Sequence, residues 1–299
     1  MSSKDKKYRK KKKKLKKKRK KRKKKIKKEN DYQRSLSFED TSFYDLLVLL
    51  KFLINILYFP VLLVLFIFKL IDVKKLMSPV YVIRDYIKGS KQTFFLVFII
   101  IMTSIAGIIV YNFNQPFYQE NLVNSQENFS NQRFHTLFTS IFIHGSIYHL
   151  LSNILALIFF GKIVERHLKK KYFLIFIASG VISNLLRLFL TATEVGSIGA
   201  SGAISALIPI AVLCNPIKIT FISPLPLTTM AFAVMWILNE FAALNIPNNI
   251  ANDVHIFGFS IGFLFGFIFI RDAFKRLIIG LLLNVVLGII FYYLWFTLL

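Results

Sequence analysis

The sequence predicts an all-α polytopic membrane protein, and three observations carry that reading. Hydrophobic residues make up 55% of the 299-residue chain, which holds 32 Phe and has a mean hydropathy of +0.55. Such values lie outside those of soluble globular proteins. Apolar stretches near the roughly 20 residues that a helix needs to cross a bilayer recur along the chain. The basic residues between them fall almost entirely into alternate loops, as they do when one side of a membrane is cytoplasmic.

The chain begins with residues 1–43, a polybasic tail. Residues 4–28 hold 21 of the 40 Lys and Arg, and from residue 29 onward 19 basic face 14 acidic residues. The net charge of +25 is therefore a property of the tail. With no periodicity and nothing to bury, the tail is expected to be disordered and cytosolic. It does not read as a signal peptide, because its basic stretch is too long and no small-residue cleavage site follows. Its expected partner is anionic lipid, at about 1 kcal/mol per charge near the surface. Nucleic acid is disfavoured, since Tyr8 alone is present for stacking. The single cysteine, Cys214, excludes intramolecular disulfides and Cys-rich metal sites.

Residues 44–92 are expected to form a hydrophobic element and a basic cytosolic linker. The apolar stretch 44–71 carries Lys51 and Pro60 near its middle. A cytosolic tail requires this stretch to cross an even number of times, which favours a hairpin turning near Pro60 or a helix lying on the surface. Spans are then predicted near 93–112, 147–161, 172–190, 200–213, 227–246, 252–270 and 277–298. Loops 73–92, 162–171, 214–226 and 271–276 hold 14 Lys and Arg together, whereas loops 113–146, 191–199 and 247–251 hold Arg133 alone. The first set is cytoplasmic. No charged residue is expected at mid-membrane in the core, and Arg187 is expected to snorkel toward the outer end of its span.

That orientation puts Ser201 of "GASGAISAL" about one turn below the outer surface. His255, in "NDVHIFGFSIGFLFG", lies at the same depth. Gly258, Gly262 and Gly266 recur every four residues and form a small-residue stripe that lets another helix approach. Matching stripes on the serine helix are Gly199 with Ala203 and Gly202 with Ala206. In "HGSIYHLLSN", His149 and Asn153 are four apart and share one helical face at the outer end of a third span. A serine, a histidine base and two side-chain donors are the parts of acyl-transfer catalysis. Taken singly, "GASG" reads better as helix packing, His255 equally as a satisfied interior histidine, and His149 with Asn153 as interhelical bonding. Their shared depth on three helices favours chemistry. His144 and His149 are five apart, with no nearby carboxylate, so no metal site is expected. Asp253 should project to another side of the helix from His255.

These residues resemble the rhomboid family of intramembrane serine proteases. "HGSIYHLLSN" is similar to the family's HxxxxHxxxN, "GASG" to its GxSG and "HIFGFSIG" to its HxxGxxxG, while "GKIVE" at 161–165 resembles the pattern after the second core helix. The resemblance implies a rhomboid-like six-helix catalytic core over 93–270, with residues 271–299 as an extra C-terminal transmembrane helix. It also implies Ser201 as nucleophile and His255 as general base. His149, Asn153 and the Ser201 backbone N–H would form the oxyanion hole, with Gly199, Gly202, Gly258 and Gly262 serving helix packing. Two departures stand out: His135-Thr136 replaces the Trp-Arg of many members in the first outer loop, and Val254 stands where Ala is usual.

The function expected is an intramembrane serine endopeptidase that cleaves transmembrane segments of other proteins near the outer membrane face, without a cofactor. The alternative is a catalytically inactive member that binds or escorts membrane clients. The expected location is a multi-pass position in a membrane, the plasma membrane if the source is prokaryotic, with the N-terminus in the cytoplasm.

Overall fold

A computed structural model describes residues 50–51, 54–55, 57–86, 90–191, 195–220, 227–244, 246 and 250–298. The tail at 1–43, and with it the stretch expected to bind anionic lipid, lies outside the described residues. The helices are α1 (Phe59–Ile67), α2 (Val73–Leu76), α3 (Ser78–Tyr86), α4 (Lys91–Phe113), α5 (Gln115–Leu122), α6 (Gln126–Ser130) and α7 (Thr136–Thr139). After a 3-10 turn come α8 (Ile147–Leu168), α9 (Tyr172–Leu190), α10 (Ser201–Cys214), α11 (Thr229–Ala243), α12 (Asn252–Phe269) and α13 (Ala273–Leu298). By length and composition, Lys91–Phe113, the stretch Ile147–Leu190, Asn252–Phe269 and Ala273–Tyr293 can each cross a membrane, while α10 and α11 are shorter apolar helices. The protein is an integral membrane protein.

The architecture is mostly helical rather than all-α. Strands β1 (Ile219–Thr220) and β2 (Leu227–Thr228) pair antiparallel, Ile219 opposite Thr228 and Thr220 opposite Leu227. Two-residue strands are too short to leave an alternating pattern in the sequence. Of the two forms expected for 44–71, a hairpin turning near Pro60 or a helix lying on the surface, the bonding at Pro60 bears on the first. Tyr58 N–H bonds Ile54 O at 3.0 Å and Leu62 N–H bonds Tyr58 O at 2.9 Å, so helical bonding runs past the proline and no hairpin turns there. Pro60 sits in the first turn of α1, where its missing N–H removes little.

The small residues of "GASGAISAL" are explained by the surroundings of α10. Thirteen of its residues, Gly202–Cys214, are buried, and it is contacted by α8, α9, α11, α12 and α13. A helix enclosed on every side faces no lipid, so it gains from small residues that admit its neighbours rather than from bulky apolar ones. The surrounding core is built from Leu96, Ile100, Leu157, Phe160, Tyr172, Phe176, Leu207 and Leu213.

Helix ends are secured across elements. The start of α4 receives a carboxylate from α8: Glu165 accepts from Gln92 N at 2.9 Å, Thr93 N at 2.8 Å and Thr93 Oγ1 at 2.7 Å. An anion there satisfies orphan amides and complements the helix dipole. The segment between α4 and α8 folds into α5–α7. Arg133 braces it by donating to Glu120 at 2.9 Å and Asn128 at 3.1 Å, and Thr136 Oγ1 bonds Arg133 O at 2.8 Å. An antiparallel bridge then ties this loop to the approach of α10, with Asn124 N to Ser197 O at 3.1 Å and the reverse bond at 2.8 Å.

Arg187 does not snorkel. It is 5% exposed, and its Nε lies 3.0 Å from Asp253 Oδ2, which also accepts from Thr191 Oγ1 at 2.9 Å. The pair joins α9 to the start of α12, and it confirms that Asp253 turns away from His255.

Candidate active site

Three backbone features shape the start of α10. Gly199 has φ +117°, a conformation that favours glycine. Its N–H bonds Ser140 O at 2.8 Å, and Ala200 N–H bonds His144 Nε2 at 3.4 Å. The intrahelical ladder then begins at Ile204 N, which bonds Ala200 O at 2.9 Å. The amides of Ser201, Gly202 and Ala203 therefore belong to the first turn, where a helix offers donors to a ligand or to water.

From α8, His149 and Asn153 come against Gly199. A Cβ placed on Gly199 would stand 2.7 Å from His149 Cε1, 2.8 Å from His149 Nε2 and 3.6 Å from Asn153 Nδ2. Glycine is thus required twice, for its φ and for the space these side chains occupy. His149 is placed by Ser146, the N-cap of α8, whose Oγ accepts from His149 N at 3.1 Å.

His144, set aside in the sequence as a poor metal ligand, organises this region. It is 1% exposed. Asn153 Nδ2 lies 2.9 Å from His144 Nε2, which also receives the Ala200 amide; Ser104 Oγ lies 2.9 Å from Nδ1 and 3.2 Å from Phe142 O. Two donors converge on Nε2, so the proton belongs on Nδ1 and passes toward Ser104, whose hydroxyl donates onward to Phe142. Burial, with His149 beside it, lowers the His144 pKa to about 3, which keeps Nε2 an acceptor. One of the two Asn153 amide hydrogens is thereby engaged and the carboxamide is oriented. A cavity of about 380 Å³ opens beside His144, lined also by Tyr111, Tyr118, Gly145, Gly196 and Ile198.

Helix α12 meets α10 backbone to backbone. A Cβ on Gly258 would enter the Gly202 carbonyl, and one on Gly262 the Ala206 carbonyl. Both pairs are 56 positions apart, so the two helices run parallel and in register. By that offset His255 stands level with residue 199, about 3 Å along the axis from Ser201 at 1.5 Å per residue. Gly202 is further confined by Val254 Cγ1 and Ser183 Oγ, 2.6 and 2.7 Å from its Cβ position. Only the Gly202–Ala206 stripe faces α12. The other expected stripe divides between two helices, with Gly199 against α8 and Ala203 3.2 Å from the Cβ position of Gly180 on α9. Ser201, His149 and His255 are partly exposed, whereas Asn153 is buried. Among the described residues, Ser201 Oγ makes no hydrogen bond to His255.

Sequence reasoning missed Glu240 on α11. Its Oε2 lies 2.9 Å from His255 Nδ1 and accepts from Asn252 Nδ2 at 2.6 Å. The available signal was that Glu240 is the sole charged residue of the span 227–246, and an ionisable side chain inside a span is by default a functional candidate. Among the described residues, no cluster of three or more His, Cys, Asp or Glu could hold a metal ion.

This arrangement is that of a helical membrane protein with a serine at a buried helix start and histidines around it. Comparison with known proteins points to one domain family for this region. Residues 131–272, which contain every candidate above, match the rhomboid domain model. It is 27% identical over 171 residues to "RHOMBOID-like protein 12, mitochondrial" of Arabidopsis thaliana, covering 50% of each chain. It is 30% identical over 131 residues to "Putative rhomboid protease YdcA" of Bacillus subtilis (strain 168), covering 42% of this chain and 62% of that one. The chain thus spans half of the first relative and under two thirds of the second.

Proposed function

We propose that the protein is an intramembrane serine endopeptidase cutting transmembrane segments of other membrane proteins near the outer membrane face. The observation that carries this reading is the convergence on the start of α10. His149 and Asn153 press on Gly199 while the α12 backbone lies on Gly202. In the proposed reaction, His255 takes the Ser201 Oγ proton as Oγ attacks the scissile carbonyl. The resulting oxyanion is met by the Ser201 N–H, His149 and Asn153. Collapse of this intermediate expels the amine, which takes the proton from His255. Water, activated by the same histidine, then hydrolyses the ester. A substrate helix must unwind locally first, because helical hydrogen bonding shields its peptide bonds. The proposed topology keeps the N-terminus cytoplasmic, in the plasma membrane if the source is prokaryotic, with residues 4–28 against anionic lipid.

Labelling with a serine-directed fluorophosphonate tests this directly. Wild-type protein in detergent is expected to be modified at Ser201 and the Ser201→Ala variant to remain unlabelled. A folded wild type that takes no label would instead be a client-binding member of the family.

The donors have a graded effect. Loss of one oxyanion donor typically costs about 10²–10³ in rate, so Asn153→Ala or His149→Ala is expected to slow cleavage by that factor with labelling still detectable. His144→Phe, which removes the acceptor that orients Asn153, acts in the same direction. Wild-type rates in all three variants would make these residues purely structural.

A further inference from the structure

We infer that Glu240 is a positioning residue for His255, orienting the histidine of the Ser201–His255 pair. This rests on the protease reading above. The geometry comes from two matched helix faces. Trp236 and Glu240 are four apart on α11, and Asn252, His255 and Phe259 follow at three and four on α12, so each set shares one face. The imidazole is held in two ways. Its Nδ1 edge meets Glu240 Oε2 at 2.9 Å, and its ring lies 5.8 Å from the Trp236 ring at 34°. Trp236 in turn stacks on Phe259 at 5.8 Å and 25°.

The shared oxygen decides the proton. Oε2 already accepts the Asn252 amide at 2.6 Å, so it stands as an acceptor toward His255 too. A carboxylate has acceptors only, and the histidine proton therefore sits on Nδ1. That leaves the Nε2 lone pair bare, the form a general base must have to receive the Ser201 proton. When the proton arrives, the ring becomes a cation, and the buried carboxylate beside it (side chain 7% exposed) stabilises that charge with little screening. Glu240 touches no reacting atom and acts only through the imidazole.

Glu240→Gln separates this role from a structural one. Glutamine keeps the shape and one acceptor oxygen, so a residue serving only to join α11 to α12 should tolerate it. A positioning carboxylate should not, because glutamine carries no charge and can present an N–H that admits the other tautomer. Both fluorophosphonate labelling and kcat on a transmembrane substrate are expected to fall about 10²–10⁴-fold, with KM within about twofold and the thermal midpoint unchanged. Glu240→Asp, which retains the charge, should recover part of the rate. If Glu240→Gln does not fold, Glu240→Asp decides. Labelling above about a tenth of wild type supports the inference, and loss to the Ser201→Ala background overturns it. Wild-type labelling and turnover in folded Glu240→Gln, beside an unlabelled Ser201→Ala, overturns the role of Glu240 alone. Failure of folded wild type to label overturns the protease reading and this inference with it.

Discussion

Ser201→Ala and His255→Ala are expected to abolish cleavage of a model transmembrane substrate, with a loss on the order of 10⁶ in kcat. Their effects on stability should differ. The Ser201 side chain caps nothing, since Ala200 is the N-cap of α10 and no side-chain bond closes that end. Alanine also favours a helix at least as well as serine, so the thermal midpoint of Ser201→Ala should match wild type. Removing His255 leaves the buried Glu240 carboxylate with one fewer partner. An unsatisfied buried acceptor costs about 1–3 kcal/mol, so His255→Ala should melt slightly lower while remaining folded in detergent. The measurement is turnover of a reporter substrate alongside a thermal melt of each variant. Measurable turnover in Ser201→Ala ends the serine-protease reading.

One group of polar residues gathers at a single end of the core. The starts of α8, α10 and α12 carry Ser146, His149, Ser201, Asn252, Asp253 and His255, and the far end of α11 carries Glu240. The burial of α10 lets an uncapped helix start point into this cluster rather than into lipid. Its first-turn amides are then available to an oxyanion. A short helix sheathed by five others is thus a precondition for the proposed chemistry as much as a feature of the packing.

The spans were legible because bilayer thickness imposes a length, and most observed helices fall within a few residues of those expected, although α8 runs on to Leu168, well past the expected end at 161. Spacing and loop charge place Ser201, His149 and His255 at the starts of three helices, where the structure has them, and their catalytic roles belong to the proposal above. The partners that orient them were not legible. His144 is outside α8 and reaches Asn153 through a loop, so helical spacing gives no hint of their bond. Glu240 and Asn252 are on separate helices joined by a segment whose path hydropathy does not encode. Arg187 and Asp253 are 66 positions apart, and each alone reads as a charge near a span end. Helices α5–α7 are too short to leave a helical period, and they are held both by specific bonds from Asn128 and Arg133 and by a small apolar cluster of Tyr118, Val123 and Ile143. Local periodicity reports on single elements, whereas pairing between polar residues on different elements is set by the tertiary fold.

Gly258→Val and Gly262→Val are expected to lower stability and activity together. Each new Cβ would overlap a backbone carbonyl of α10, that of Gly202 or of Ala206. Backbone cannot rotate aside as a flexible side chain can, so the helices must separate. Overpacking costs about 1–3 kcal/mol where side chains can adjust, and these sites should lie at or above the upper end. Separation also moves His255 relative to Ser201, and a displacement of about 1 Å near a reacting centre can cost roughly 10²-fold in rate. Gly288 is the control. Nothing lies within 4 Å of its Cβ position, so Gly288→Val should leave both thermal midpoint and turnover unchanged. The comparison needs only melts and single-substrate rates for the three variants. Normal stability and activity in Gly258→Val would mean that α10 and α12 do not touch at Gly202, and the registry that brings His255 level with the start of α10 would fall with it.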